Sequence, residues 1–318
     1  MHWPIKPGQI GGEAEMKIAV LGAGAMGSLM GAHLSRVHDV TLVGRKEQVL
    51  AIRERGLRIV GLEAMTCWPE AMENLEEIDT PDMIVLTVKA FDTERALPII
   101  DRVRNDQTIV ISLQNGIDNH FLIAERIPRA VSGLTSWGAT LVEPGKVRFA
   151  GRGDMILGSI AGEIEDVDKV AQVFRLAGID CRVSSIIEPE IWMKAIVNAC
   201  INPITALVRR ENQCLREPSL LQIAKMACDE AVRVSKRAGV NLPEDDPFER
   251  VMEVVDRTAE NRSSMLQDIE RGRRTEIDEI NGSIVRRGEN MGIPTPVNMT
   301  LWRLVRYSAN SPVLVDRK

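Results

Sequence analysis

The chain has 318 residues, of which 44% are hydrophobic and 27% charged, so it can bury large cores, and its length favours two domains. Its formal net charge of −5 carries no nucleic-acid signature, so an anionic ligand would have to meet local positive charge. Five scattered cysteines without a CxxC pair and only four histidines argue against a disulfide framework or a zinc site and fit reduced thiols in a cytosol. No apolar run approaches the ~20 residues that span a bilayer. The opening MHWPIKPGQIGGEAE, residues 1–15, has no apolar h-region and reads as a disordered extension or an upstream-start artefact, not a signal peptide.

From Met16 strand and helix patterns alternate, which predicts a parallel sheet covered on both faces. The apolar run Lys17–Leu21 leads into VLGAGAMGSLMG, with Gly22-x-Gly24-x-x-Gly27 ahead of a helical pattern reaching Arg36. A lone GxGxxG is weak, but between a strand and a helix it marks a dinucleotide loop. Gly22 permits the tight turn, Gly24 lets backbone approach a pyrophosphate, and Gly27 lets helix and strand pack. The helix N-terminus offers amide donors to the phosphates. The next strand, residues 40–43, ends in Val43-Gly44-Arg45-Lys46. NAD binders usually place a carboxylate there for the ribose 2′-hydroxyl. Here Arg45 can fork onto a 2′-phosphate with Lys46 adding charge, which predicts NADP(H); the other reading is a solvated surface arginine. Strands over residues 82–88 and 108–112 put Lys89 and Asn115 at strand ends, where open α/β sheets bind ligands, though each also suits an ordinary turn residue. Short runs over residues 131–160, split by Pro144, Gly145, Gly151 and Gly153, suggest an antiparallel extension of the sheet.

Beyond residue 186 helical periodicity dominates to about residue 306, broken at Pro203, Pro218, Pro243, Pro247, Gly272 and Pro294. The chain therefore divides into a Rossmann-type domain over residues 16–185 and an all-helical domain over residues 186–318. In WMKAIVNACINP, residues 192–203, Lys194, Asn198 and Asn202 recur every four residues and form one polar stripe about 12 Å long, at 1.5 Å per residue. Pro203 should end or bend that helix. Polar groups in an apolar segment need partners, either a small polar ligand or a neighbouring helix. Further on, Asn261, Ser264 and Asp268 are spaced to share a helical face. Ile277, Ile280 and Ile284 define an apolar stripe with Glu276 on its edge. A buried carboxylate there would want a cation, and Lys194 is a candidate; the alternative is an ordinary surface glutamate.

Six motifs then occur in order: GAGAMG at 22–27, TVKAF at 87–91, QNG at 114–116, K-x3-N-x3-N-P at 194–203, ENRSSMLQDI at 260–269 and TEID-x-ING at 275–282. Together they resemble the ketopantoate reductase family from Met16 to about Arg306. The resemblance implies a Rossmann domain followed by a helical domain and a cytosolic, NADPH-dependent activity in pantothenate and coenzyme A biosynthesis. It implies cofactor contacts at Gly22, Ala23, Gly24, Ala25, Met26, Gly27, Arg45, Lys89, Asn115, Ala139 and Glu276. Lys194 matches the catalytic lysine and Glu276 the active-site glutamate. Asn115, Asn198, Asn202, Asn212, Asn261 and Ser264 fall at substrate positions, with Ser264 matching the hydroxyl that holds the substrate carboxylate.

The implied reaction moves a hydride from NADPH to a branched 2-keto acid, and negative charge develops on the former carbonyl oxygen. Lys194 suits both polarisation and protonation, being charged at neutral pH without special tuning at the ordinary lysine pKa of ~10.4. No metal is needed, since the lysine supplies positive charge. Glu276 either orients Lys194 or accepts from a bound hydroxyl. Two other readings remain: a relative that reduces another 2-keto acid to a D-2-hydroxy acid, as mandelate-type dehydrogenases do, and a non-catalytic NADP(H) sensor. A small 2-keto acid is the expected partner, without nucleic acid or membrane, and the resemblance also implies a homodimer, since helical domains of this family often pair.

Overall fold

The computed structural model describes residues 15–160, 164–243 and 245–310, so the expectation for the N-terminal extension lies, but for Glu15, outside the described residues. Two compact units are present. The first holds the described residues up to Gln114 together with Asn119–Ile187; the second holds Asn115–Asp118 and the chain from Glu188.

The first unit begins with β1 (Lys17–Leu21), α1 (Ala25–Leu34), β2 (Asp39–Val43) and α2 (Lys46–Arg55). A hairpin of β3 (Leu57–Gly61) and β4 (Met65–Cys67) follows, then β5 (Glu70–Met72), β6 (Met83–Leu86), α3 (Thr93–Val103) and β7 (Ile109–Ser112). The chain continues through α4 (Asp118–Arg126), β8 (Ala130–Thr135), β9 (Gly138–Glu143), β10 (Lys146–Gly151), β11 (Met155–Gly158), α5 (Ile164–Leu176) and β12 (Arg182–Val183). The main sheet has eight strands in the order β12-β11-β8-β7-β6-β1-β2-β5. From β5 to β8 every neighbouring pair is parallel. MIVL in β6 and IVIS in β7 are buried at every residue, the unbroken apolar pattern of strands covered on both faces. The chain runs outward from β1 to β2 and β5 and then returns to β6 on the other side. The switch point therefore lies between β1 and β6, whose carboxyl ends lead into Gly22 and Thr87.

The runs between residues 131 and 160 divide between two sheets. β11 pairs antiparallel with β8 and supplies the expected extension. β9 and β10 instead join the β3–β4 hairpin in a second, four-stranded sheet, β4-β3-β10-β9. The cause is α1. Gly27 to Leu34 are all buried, and a helix apolar on every side needs cover on every side. The main sheet covers one face. Alternation in β10 turns Val147 and Phe149 inward, into the core cluster that also holds Leu29, Met30 and Leu34 of α1.

The second unit contains α6 (Ile187–Val208), α7 (Pro218–Arg237), α8 (Pro247–Arg257), α9 (Ser264–Glu270), α10 (Asn281–Asn290) and α11 (Pro296–Asn310). Pro218, Pro247 and Pro296 each open a helix, where a missing N–H costs nothing. Pro203 behaves otherwise: α6 continues through it to Val208. By length and composition α6 could cross a membrane, contrary to the sequence-based expectation, but most of it is buried inside the protein. Trp192, Ile196, Ala199 and Cys200 have no exposure at all.

Helix α11 starts against a buried carboxylate. Glu230 on α7 accepts from the amides of Val297 and Asn298, both at 2.9 Å, and from Asn298 Nδ2 at 2.8 Å. The two backbone amides are first-turn donors that the helix itself leaves unpaired, at its positive end. Glu230→Ala is expected to lower stability by about 3 kcal/mol, because charge-assisted bonds are lost and buried donors orphaned. Urea unfolding followed by circular dichroism measures it.

Candidate active site

The glycine loop is held by its neighbours on both sides. The amides of Gly22 and Ala23 both donate to the Val43 carbonyl at 2.9 Å, and Thr87 Oγ1 donates to the Gly22 carbonyl at 2.9 Å. Gly22 has φ +114°, and a Cβ there would lie 2.5 Å from the Val88 nitrogen. A Cβ on Gly27 would lie 2.1 Å from the Gly22 carbonyl oxygen. Both positions thus exclude a side chain. Gly24 differs, because a Cβ there would meet nothing within 4 Å. Its bare backbone faces open space at the start of α1, a helix with no side-chain cap and no acidic residue in its first turn. Open backbone beside uncapped amides fits a dinucleotide pyrophosphate, with Ala25, Met26 and Gly27 forming the first turn.

Arg45 and Lys46 are exposed just beyond β2, with Arg45 the N-cap of α2. Lys89, half-buried, follows β6 by three residues. Ala139 lies elsewhere than at an end of the parallel sheet: it is on β9, opposite Phe149 of β10 in the second sheet.

In the second unit α6 presents Lys194, Asn198 and Asn202 one turn apart, as their spacing predicts. Lys194 Nζ is buried and has no hydrogen-bond partner. Burial pulls its pKa down to about 8, against the opposing pull of Glu276, which favours the ammonium. The expectation of a lysine without special tuning is therefore corrected. The side-chain amides of Asn198 and Asn202 make no hydrogen bond among the described residues. Glu276 is buried, and its Oε2 accepts from Asn115 Nδ2 at 3.1 Å.

Glu276 does not sit on a helix edge. It opens an irregular turn in which the amides of Glu279 and Ile280 donate to its carbonyl, and α10 begins only at Asn281. The apolar stripe holds regardless, with Ile277, Ile280 and Ile284 all buried. Asn261 likewise is off the helical face expected for it. The turn ending α8 and the cap of α9 by Ser263, which accepts from the Leu266 amide at 3.1 Å, leave Asn261 in a loop. Ser264, exposed, is the first residue of α9, whereas Asp268 is buried. Asn212 is buried and donates to Thr258 Oγ1 at 2.8 Å, and its amide donates to the Asn261 carbonyl at 3.0 Å.

Two anchoring contacts carry no periodic signal in the sequence. Thr205 Oγ1 on α6 donates to Ser263 Oγ at 2.7 Å, which ties the start of α9, and so Ser264, to the polar-stripe helix. Asp118 accepts from Arg287 Nε at 2.9 Å and from Arg286 Nη2 at 3.3 Å. The segment Asn115–Asp118 is therefore held at both ends, and the Asn115 amide is kept on Glu276. The second unit thus brings together an amine without a hydrogen-bond partner, two amides that bond no other described residue, a buried carboxylate and the amide of Asn115. Such a set can donate a proton to a developing oxyanion and bind a small polar molecule.

A Rossmann-type dinucleotide unit and a helical unit with a buried amine define a nicotinamide-dependent oxidoreductase. Residues 18–162 match the model of the family described as ketopantoate reductase PanE/ApbA, and residues 186–308 match its C-terminal domain. The chain belongs to the ketopantoate reductase family. It is 41% identical over 293 residues to the 2-dehydropantoate 2-reductase of Archaeoglobus fulgidus, covering 91% of this chain and 97% of that one. Identity to the Pyrococcus abyssi enzyme of the same name is 40%, over 92% and 97% of the two chains. Among solved structures, a PanE/ApbA family ketopantoate reductase from Ralstonia eutropha superposes with a TM-score of 0.86 at 29% identity, covering 92% of this chain and 98% of that one. A D-mandelate dehydrogenase with NADH and anilino(oxo)acetate gives 0.87 at 30% identity with the same coverage.

Arg45→Ala is expected to weaken NADPH binding about tenfold while NADH binding changes less than about twofold. Fluorescence titration of both cofactors checks it, and equal losses would remove the 2′-phosphate role.

Proposed function

We propose that this protein reduces 2-dehydropantoate to (R)-pantoate with NADPH, a step of pantothenate and coenzyme A biosynthesis in the cytosol. The family and the names of its relatives support the substrate and the cofactor. The observation that carries the chemistry is the Lys194 ammonium, buried without a hydrogen-bond partner, in the field of Glu276 and at the head of the helical stripe that Asn198 and Asn202 continue.

NADPH, when bound, supplies the hydride to the keto carbon. Gly22, Ala23, Gly24, Ala25, Met26 and Gly27 would hold its pyrophosphate and Arg45 its 2′-phosphate, and Lys89 and Ala139 would add further cofactor contacts. Lys194 polarises the keto oxygen and then delivers a proton to it from Nζ. Glu276 favours the ammonium over the amine and so keeps that proton available. Asn115 bonds Glu276 and orients the keto group. Ser264 donates to the substrate carboxylate, while Asn198, Asn202, Asn212 and Asn261 take the far hydroxyl and the chain that bears it. A second copy of the chain is the one macromolecular partner we infer, and a net charge of −5 favours neither nucleic acid nor an anionic membrane.

A second reading, reduction of another 2-keto acid to its D-2-hydroxy acid, is favoured by the likeness to D-mandelate dehydrogenase. NADPH oxidation with ketopantoate, ketoisovalerate and benzoylformate separates the two. Preference for ketopantoate is expected, and preference for benzoylformate would transfer the assignment. Inertness with all three would favour a non-catalytic sensor of NADP(H).

Lys194→Ala is expected to lower kcat about 100-fold or more, with little change in NADPH affinity. Because the lysine must be protonated to act, kcat/KM of the unaltered enzyme should fall as pH rises through about 8, and the variant should lack that limb. Near-normal turnover by the variant would remove the acid from the mechanism.

A further inference from the structure

In an α-helix the carbonyl of residue i accepts from the amide of residue i+4, and the ring of a proline at i+4 also crowds that carbonyl. Pro203 lies inside α6, so the Ala199 carbonyl lacks the i+4 amide that a regular helix would give it. Ala199 has no exposure, so bulk solvent does not reach that carbonyl. The missing donor comes from 82 residues away: Asn281 Nδ2 donates to the Ala199 carbonyl at 3.1 Å. Asn281 is fully buried and opens α10. Its second amide hydrogen goes to Asn298 Oδ1 at 3.0 Å. Asn298 in turn donates to the Ala227 carbonyl at 2.9 Å and to Glu230 at 2.8 Å. One carboxamide therefore repairs the proline break in α6 and joins that helix to α10, α11 and α7.

Its place in the chain matters as much as its bonds. Ala199 follows Asn198 directly, and Lys194, Asn198 and Asn202 all precede Pro203 on α6. Asn281 follows the turn that begins at Glu276. The bond thus fixes the polar stripe against the turn that carries the carboxylate. Gly282 lets this junction close up, since a Cβ there would stand 3.0 Å from the Trp302 ring of α11.

We propose that Asn281 is a positioning residue for the reaction: its buried carboxamide replaces the amide that Pro203 lacks and so sets Lys194, Asn198 and Asn202 in register with Glu276. The inference rests on the reading of that site as the reductase centre. It gives the pairing of Pro203 with Asn281 a physical reason, since removing the Asn281 carboxamide alone leaves the buried Ala199 carbonyl without its side-chain donor.

The test is a double-mutant cycle on the full-length protein: Asn281→Ala, Pro203→Ala and the two combined. NADPH affinity and thermal midpoint are measured beside kcat and the keto-acid KM. Asn281→Ala is expected to lower kcat about tenfold or more with NADPH affinity within about twofold of the original, because small misplacements of reacting groups are costly. Pro203→Ala returns the amide to Ala199, so the same change in that background should cost about fivefold less in kcat. Losses that simply multiply, or a kcat indifferent to Asn281→Ala, would overturn the proposal. A fall in thermal midpoint without a fall in kcat would also overturn it, since that is a structural role alone. If Asn281→Ala does not fold, the cycle is run on Asn281→Ser with the same criteria. Turnover of the unaltered protein is measured first. Its failure with every keto acid would sink the reading of the site, whereas an active enzyme without coupling would sink only the role of Asn281.

Discussion

An ammonium buried without a hydrogen-bond partner is the constraint around which the helical unit is organised. Burial outweighs the pull of Glu276 and brings Lys194 from the ordinary 10.5 to about 8, a net of about 3 kcal/mol against its charged form at ~1.4 kcal/mol per pKa unit; without Glu276 the penalty would be larger. Glu276 offsets part of that cost, but a carboxylate does so only if it is itself buried nearby and held. Asn115 bonds it, and Asp118 fixes the segment from which Asn115 projects. The amine is left charged at neutral pH, yet close enough to its pKa to release a proton readily. Near-neutral pKa values are what general acids need, and an exposed lysine would not have one.

In the first unit the corresponding constraint is close approach. Gly22 and Gly27 carry no Cβ because backbone and Thr87 occupy the space, and that contact presses the loop onto β6. Gly24 alone looks outward, so the loop is rigid where it packs and open where a phosphate would come. The same economy of space explains the second sheet. A short helix buried from Gly27 to Leu34 needs more cover than one sheet gives, and β9 and β10 complete it.

Spacing made much of this legible. The stripe of Lys194, Asn198 and Asn202 and the burial of Ile277, Ile280 and Ile284 follow from helical intervals within one segment, and the glycine loop from a short motif between a strand and a helix. What spacing misread was the exact local backbone. Asn261 and Glu276 fall at helical intervals from their neighbours but lie in turns, because the cap at Ser263 and the bonds to the Glu276 carbonyl decide where α9 and α10 begin. The runs near residue 140 look like any antiparallel extension until the need to cover α1 sends them to another sheet.

The alternation of strands and helices, the dinucleotide loop and the family motifs are each written in short runs of neighbouring residues and so are legible before folding. That α6 survives its proline, that the Lys194 pKa is pulled toward neutrality and that Asp118 and Asn281 brace their neighbours are consequences of packing. Those outcomes depend on burial and on donors such as Asn281, which reaches a carbonyl 82 positions away. A local pattern cannot encode desolvation, because it arises only when distant segments exclude water from the same point.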